Sequence, residues 1–174
     1  MYEPKVLSEI PYGLTEMNEL YGNPITEGAH ASEEWIVDNL AHYILPKHVE
    51  LVLSWRPGTV ISSIYTHKLL GEVIVDALDS IFRTLTPDYI YANDLNRYGG
   101  CFNYRRKTGN SELSTHAWSA AIDLNPHIWS YGKIVPEHDR PLSVFRAAFE
   151  ERGFIWGGNF PTPDPMHWQA VNGY

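Results

Sequence analysis

Four side chains in two short segments offer the residue types that activate water. LSTHAWSAAIDLNP carries His116 and, seven residues on, Asp123; PTPDPMHWQ carries Asp164 and, three residues on, His167. Asp123 interrupts an apolar run, with Ala120, Ala121 and Ile122 before it and Leu124 after it. A carboxylate there is costly to bury unless it is paired or bound to a metal ion. In strand geometry Ala121, Asp123 and Asn125 share one face, and small neighbours leave room around the acid. The seven-residue separation lets the chain turn back and bring His116 onto the same ion. In the second segment Gly157 and Gly158 permit a tight backbone course, while Pro161, Pro163 and Pro165 stiffen the approach to Asp164. Catalytic zinc commonly takes three N/O ligands and keeps a position for water. The residues are therefore read as a metal set of His116, Asp123 and His167, with Asp164 as the general base that takes the water proton and returns it to a leaving amine. The nitrogen-rich ligand set leans toward zinc over other divalent ions.

Blander readings stand beside this one. His30, His42, His48, His67, His127 and His138 are expected as surface or hydrogen-bonded residues. Asp123 could be a turn acid or half of an ion pair with Arg105 or Arg106. A Ser-His-Asp arrangement is the weaker rival, because no Gly-x-Ser-x-Gly elbow is present. Cys101, in a Gly-Gly-Cys turn, is expected to pack rather than to attack.

The elements that must position these groups are legible in part. Residues 1–30, rich in Pro, Gly and Asn, are expected to wrap the surface, with a short helix near Thr15–Leu20. Ser32 is a plausible cap for a helix through Trp35, Ile36, Leu40 and Ile44 that stops before Pro46. Residues 66–85 give the clearest helical spacing, and Leu142–Arg152 predicts another helix closed by Gly153. Strands are expected at Tyr89–Ala92, Ala120–Leu124 and Met166–Val171. Asn93–Leu113 and Asn125–Arg140 read as long functional loops. The order favours a single compact α+β domain around a small antiparallel sheet flanked by helices.

Length and composition bound the answer. The 174 residues suit one domain, and 13 Lys+Arg against 21 Asp+Glu give a net charge of −8. That balance argues against duplex nucleic acid as the partner. A single cysteine excludes an intramolecular disulfide and a cysteine-based zinc knuckle. The amino terminus lacks the pattern of a secretory signal, and no run is apolar enough to span a bilayer. The chain is accordingly expected to be made in the cytoplasm. Oligomeric state is not readable, and a monomer is assumed.

STHAWSAAIDLNP resembles the Ser-x-His-x-x-Gly-x-Ala-x-Asp signature of the zinc D-alanyl-D-alanine carboxypeptidase family, which includes VanY- and VanX-type enzymes and the L-alanyl-D-glutamate peptidase endolysins of bacteriophages. DPMHW resembles its second signature, GFIWGGNF a Gly-Phe-x-Trp-Gly-Gly segment, and GGCFNYR its upstream arginine segment. The likeness covers mainly residues 97–169. It implies the fold shared with the hedgehog superfamily, Zn2+ on His116, Asp123 and His167, Asp164 as base, and Arg105 as the cation that binds substrate or the developing oxyanion. It further implies that Ser114 shapes the loop before His116 or contacts substrate, and that Trp156 walls the cleft or joins the core. Three departures appear: Ser119 stands at the usual Gly, Asp164 at a position several members fill with Glu, and Gln169 where an acid is common. The implied activity is hydrolysis of a peptide bond in the peptidoglycan stem, with the endolysin-type endopeptidase favoured over a D-alanyl-D-alanine carboxypeptidase or dipeptidase. A non-catalytic zinc-containing wall- or peptide-binding module is the remaining alternative. Action at the wall would follow release by a holin or carriage in a phage particle.

Overall fold

A computed structural model describes residues 3–109, 111–136 and 138–174. In chain order the elements are α1 (Gly13–Tyr21), α2 (Glu33–Asn39), β1 (Leu40–Ile44), β2 (Leu51–Leu53), β3 (Val60–Ile61), β4 (Ser63–His67), α3 (Gly71–Leu85), α4 (Pro87–Ala92), β5 (Arg97–Gly100), β6 (Ala121–Leu124), α5 (Arg140–Glu150), β7 (Ile155–Trp156) and β8 (His167–Gln169). Short 3-10 turns, Thr115–Trp118 and Gly157–Asn159, precede β6 and follow β7.

Six strands form the main sheet in the order β3-β2-β5-β6-β8-β7, and β1 and β4 form a separate antiparallel pair. The α+β expectation holds. The sheet differs from the expected one in a single joint: β2 runs parallel to β5, while its other neighbouring pairs are antiparallel. The core lies on the face lined by Ile122, Leu124 and Trp168, where Phe149 of α5 stacks on the Trp168 indole at 5.2 Å between ring centroids. Val73, Ile74, Ala77, Leu78, Ile81, Phe82 and Leu85 give α3 its buried stripe. An ion pair ties α3 to the turn that follows α5, with Nη2 of the buried Arg152 2.8 Å from Asp76 Oδ2.

Several local expectations need correction. Ser32 caps α2, its hydroxyl accepting from the Trp35 N–H at 3.3 Å, but the helix ends at Asn39 and residues 40–44 form β1. Register decides this: Leu40 through Ile44 pair with His67 through Ser63, and Ile44, expected on a buried helical face, is exposed. Tyr89–Ala92 is not a strand but the body of α4, whose first position is Pro87 and whose Thr86 hydroxyl accepts from the Tyr89 N–H. The expected helix at 66–85 starts at Gly71, because Thr66 and His67 complete β4. Residues 13–21 do more than wrap the surface, since Met17 and Tyr21 of α1 enter the core. The expected loop 93–113 contains β5.

Candidate metal centre and cleft

Strand register brings the two motifs together. Asp123 on β6 sits directly across from His167 on β8, and on its other side it pairs with Gly100 of β5. Residues directly opposite in an antiparallel pair project to the same face. The alternation that sends Ile122 and Trp168 into the core therefore sends Asp123 and His167 out of the opposite face. Gly99 permits the approach of β5, because a Cβ there would stand 2.7 Å from the Asp123 Cβ. Asn125 does not extend the shared face as expected. It lies past the strand in a left-handed turn (φ 55°), its Oδ1 accepting from the Arg97 N–H.

His116 arrives from the 3-10 turn. Ser114 caps that turn, its Oγ accepting from the His116 N–H at 3.4 Å. Ser119 ends it with φ 52°, the left-handed region that explains why glycine is usual there. The serine keeps the turn and its Oγ bonds the Thr66 hydroxyl at 3.2 Å.

His116 Nε2 lies 3.2 Å from His167 Nδ1 and 3.1 Å from Asp123 Oδ2, and His167 Nδ1 lies 2.9 Å from Asp123 Oδ1. One ligand atom from each residue falls within 4.8 Å of the others, all three residues being buried, so the group could hold a metal ion. The outer partners test that fit. His116 Nδ1 donates to the Cys101 carbonyl at 2.8 Å, which leaves Nε2 as the bare nitrogen. His167 Nε2 donates to Gln169 Oε1 at 3.1 Å, which leaves Nδ1 bare. Two bare imidazole nitrogens 3.2 Å apart cannot hydrogen-bond each other; they need a shared proton or a cation. The residues fit a metal with two N donors and one carboxylate.

Without a metal, protons on the imidazoles supply the positive charge that the carboxylate draws in. Burial alone would raise the Asp123 carboxyl, but the two imidazoles, His116 foremost, outweigh it and hold the acid well below its ordinary range. Burial would lower His167, yet the hydrogen bond and charge of Asp123 push it above 6.5. Asp164 is moved the other way: burial raises its carboxyl, reinforced by Asp123 and opposed by His167, His116 and Arg105. Two neighbouring acids are thus driven apart, one held ionised and one drawn toward proton exchange, the arrangement an acid–base centre uses. Asp164 Oδ1 is buried and has no hydrogen-bond partner among the described residues. Its loop is seated by the Asp164 N–H donating to Gly157 O at 2.9 Å, and a Cβ at Gly157 would stand 2.6 Å from Asp164 O.

Open space borders the cluster through two different sets of residues. A cavity of about 410 Å³ is lined by Asp164, His167, Ser114, Arg105, Lys107 and Tyr131 among others. Another of about 370 Å³ is lined by His116, Asp123, Arg105, Trp55, Gly100 and Phe102 among others. Arg105 lines both, its Nη1 donating to Arg106 O at 3.5 Å. It does not pair with Asp123, which turns to the histidines. Trp156 takes the core reading: buried, its Nε1 donates to Pro165 O at 2.9 Å, the Arg146 guanidinium covers its ring, and it lines a separate depression beside α5 rather than the metal cleft. Cys101 packs as expected, its thiol pushed by burial up to about 12. The roles missed by residue reasoning are the Cys101 carbonyl, Gln169 as the acceptor that orients His167, and Trp55. Only Gln169 left a signal, its place two residues after His167 on one strand face.

The paired strands of this α+β fold present a buried His-Asp-His group that could hold a metal ion, with a second carboxylate beside it and a cleft alongside. Residues 108–170 match the family model described as D-alanyl-D-alanine carboxypeptidase, and that stretch holds the three candidate ligands and Asp164. The resemblance drawn from the two signatures is borne out there, and the match supports a metallopeptidase acting on peptidoglycan in general. No curated protein and no solved structure matches the chain.

Proposed function

We propose that the chain is a zinc metallopeptidase that cuts within the peptidoglycan stem peptide, as an L-alanyl-D-glutamate endopeptidase of the endolysin type. The observation that carries this reading is the cleft: space borders the cluster through His167 and Asp164 and again through His116 and Asp123. Both activities need chain on the acyl side; past the bond a carboxypeptidase needs room for one residue and an endopeptidase for a longer run, which the cavity of about 410 Å³ on the Asp164 side offers. On the Asp164 side Lys107, paired with Glu112 at 2.9 Å, suits an acidic residue following the bond. The intact pair of Asp164 and Arg105 favours catalysis over a binding module.

His116, Asp123 and His167 would hold the metal, which when bound supplies Lewis acidity toward the scissile carbonyl and toward water. Asp164 takes a proton from the attacking water as the O–C bond forms, and returns it to the nitrogen as the C–N bond breaks. Arg105 faces the carbonyl oxygen as negative charge grows there. Ser114 holds His116 in place through its cap. Residues 1–174 serve this as one catalytic unit. None of the helices among the described residues is long and apolar enough to cross a membrane.

Digesting purified peptidoglycan with and without chelator, and identifying new termini by mass spectrometry, tests the reading. New D-glutamate amino termini that vanish with chelator are expected. Release of free D-alanine would assign the carboxypeptidase instead, and no new terminus would leave the binding module.

A further inference from the structure

Trp55 is an exposed aromatic residue beside the cluster that the reaction above does not use. It follows β2 in the turn that leads to β3, is 62% exposed, and lines the same cavity as His116 and Asp123. Its ring rests near Tyr98, with centroids 6.2 Å apart, and faces the bare backbone of Gly100, where a Cβ would lie 3.8 Å from the indole. Gly100 has φ 114°, a conformation reserved for glycine, so the floor between Trp55 and Asp123 stays open. A solvent-facing indole beside a polar floor is a platform for a ligand with one apolar face and hydrogen-bonding edges.

Substrate polarity says which half of the chain meets that platform. Asp164 returns its proton to the leaving amine, so the amine half occupies the cavity that Asp164 lines. The acyl half then lies on the Trp55 side. When the bond after the first residue of a stem peptide is cut, the acyl half is that residue, amide-linked to a lactyl group that an ether joins to an amino sugar. We propose that Trp55 stacks on the pyranose ring of that sugar and so selects stem peptides still attached to the glycan strand. The inference rests on the peptidase reading and adds the sugar to its substrate.

The test uses the zinc-loaded full chain, with Trp55→Ala and Trp55→Phe, on two substrates: a muropeptide that keeps its amino sugar, and the same stem peptide acetylated in place of the sugar. Trp55→Ala is expected to lower kcat/KM on the sugar-bearing substrate about tenfold. It should leave the acetylated peptide within about twofold, and Trp55→Phe should restore most of the loss. Because Trp55 is exposed, the melting temperature should not move. Equal losses on both substrates, or none, overturn the inference while the peptidase reading survives. A wild-type chain that cleaves neither overturns both.

Discussion

Replacing Gln169 with leucine removes the acceptor that fixes the tautomer of His167 while keeping an apolar side chain of similar size in a buried position. In the native arrangement the Nε2 proton is held by Gln169 Oε1 at 3.1 Å, with the Thr115 hydroxyl a longer alternative at 3.4 Å. Once His167 has given up its second proton, Nδ1 therefore points bare at Asp123 and His116. Without Gln169 the proton is free to move to Nδ1, where the Asp123 carboxylate 2.9 Å away would accept it. That tautomer cannot ligate through Nδ1, so metal must first displace the proton. Loss of an outer-shell partner of this kind weakens metal affinity by about 10- to 100-fold, or about 1.4–2.7 kcal/mol. Competition against a chromogenic chelator measures the zinc affinity, and nitrogen-15 spectra of the metal-free imidazoles report the tautomer. Unchanged affinity with Nδ1 still bare would refute the argument that Gln169 orients His167. Gln169 Nε2 also donates to Val171 O, so the melting temperature of the metal-free variant serves as the control for general loosening.

Asp164→Ala should retain zinc by titration yet lose about 10²- to 10⁴-fold in stem-peptide cleavage; an unaltered rate removes it as base. Arg105→Ala should lower kcat by about 10²- to 10³-fold, with Arg106→Ala near wild type, because only Arg105 lines both cavities at the cluster. A fall confined to KM would make Arg105 a binding residue only. For metal-free protein, the raised His167 contributes stability that is fully present below its ordinary 6.5 and lost as pH rises through its higher folded value. Metal loading runs the opposite way, since zinc replaces that proton. The gap in melting temperature between zinc-loaded and chelator-treated protein should widen from about pH 6 to about pH 8, and a gap that narrows contradicts competition at His167.

Residue type and local spacing made the reactive groups legible. An acid inside an apolar run and an imidazole beside a proline-stiffened loop are costly unless used, so His116, Asp123, Asp164 and His167 stood out before any fold was known. The strands that carry them were legible too, because Ala120–Leu124 is a short apolar run broken by Asp123 and Met166–Val171 alternates; β6 and β8 fall inside these bounds. Elsewhere local pattern misled. Leu40 and Ile44 have helical spacing, yet cross-strand bonds to β4 outweigh it, and Pro87 and Asp88 begin a helix instead of turning into a strand.

What the sequence determined by itself was the chemistry available: two imidazoles, two carboxylates and a nearby arginine, in segments short enough to hold their order. Tertiary structure alone decided how they meet. Register set Asp123 across from His167, the Cys101 carbonyl and Gln169 chose which ring nitrogens stay bare, and burial drove the two acids apart. It also carried Trp55, from a turn far back in the chain, to the rim of the cluster, and sent Trp156 into the core. Such outcomes depend on which strands pair and in what register, and pairing energy is shared among residues distant in sequence, so no local window contains it.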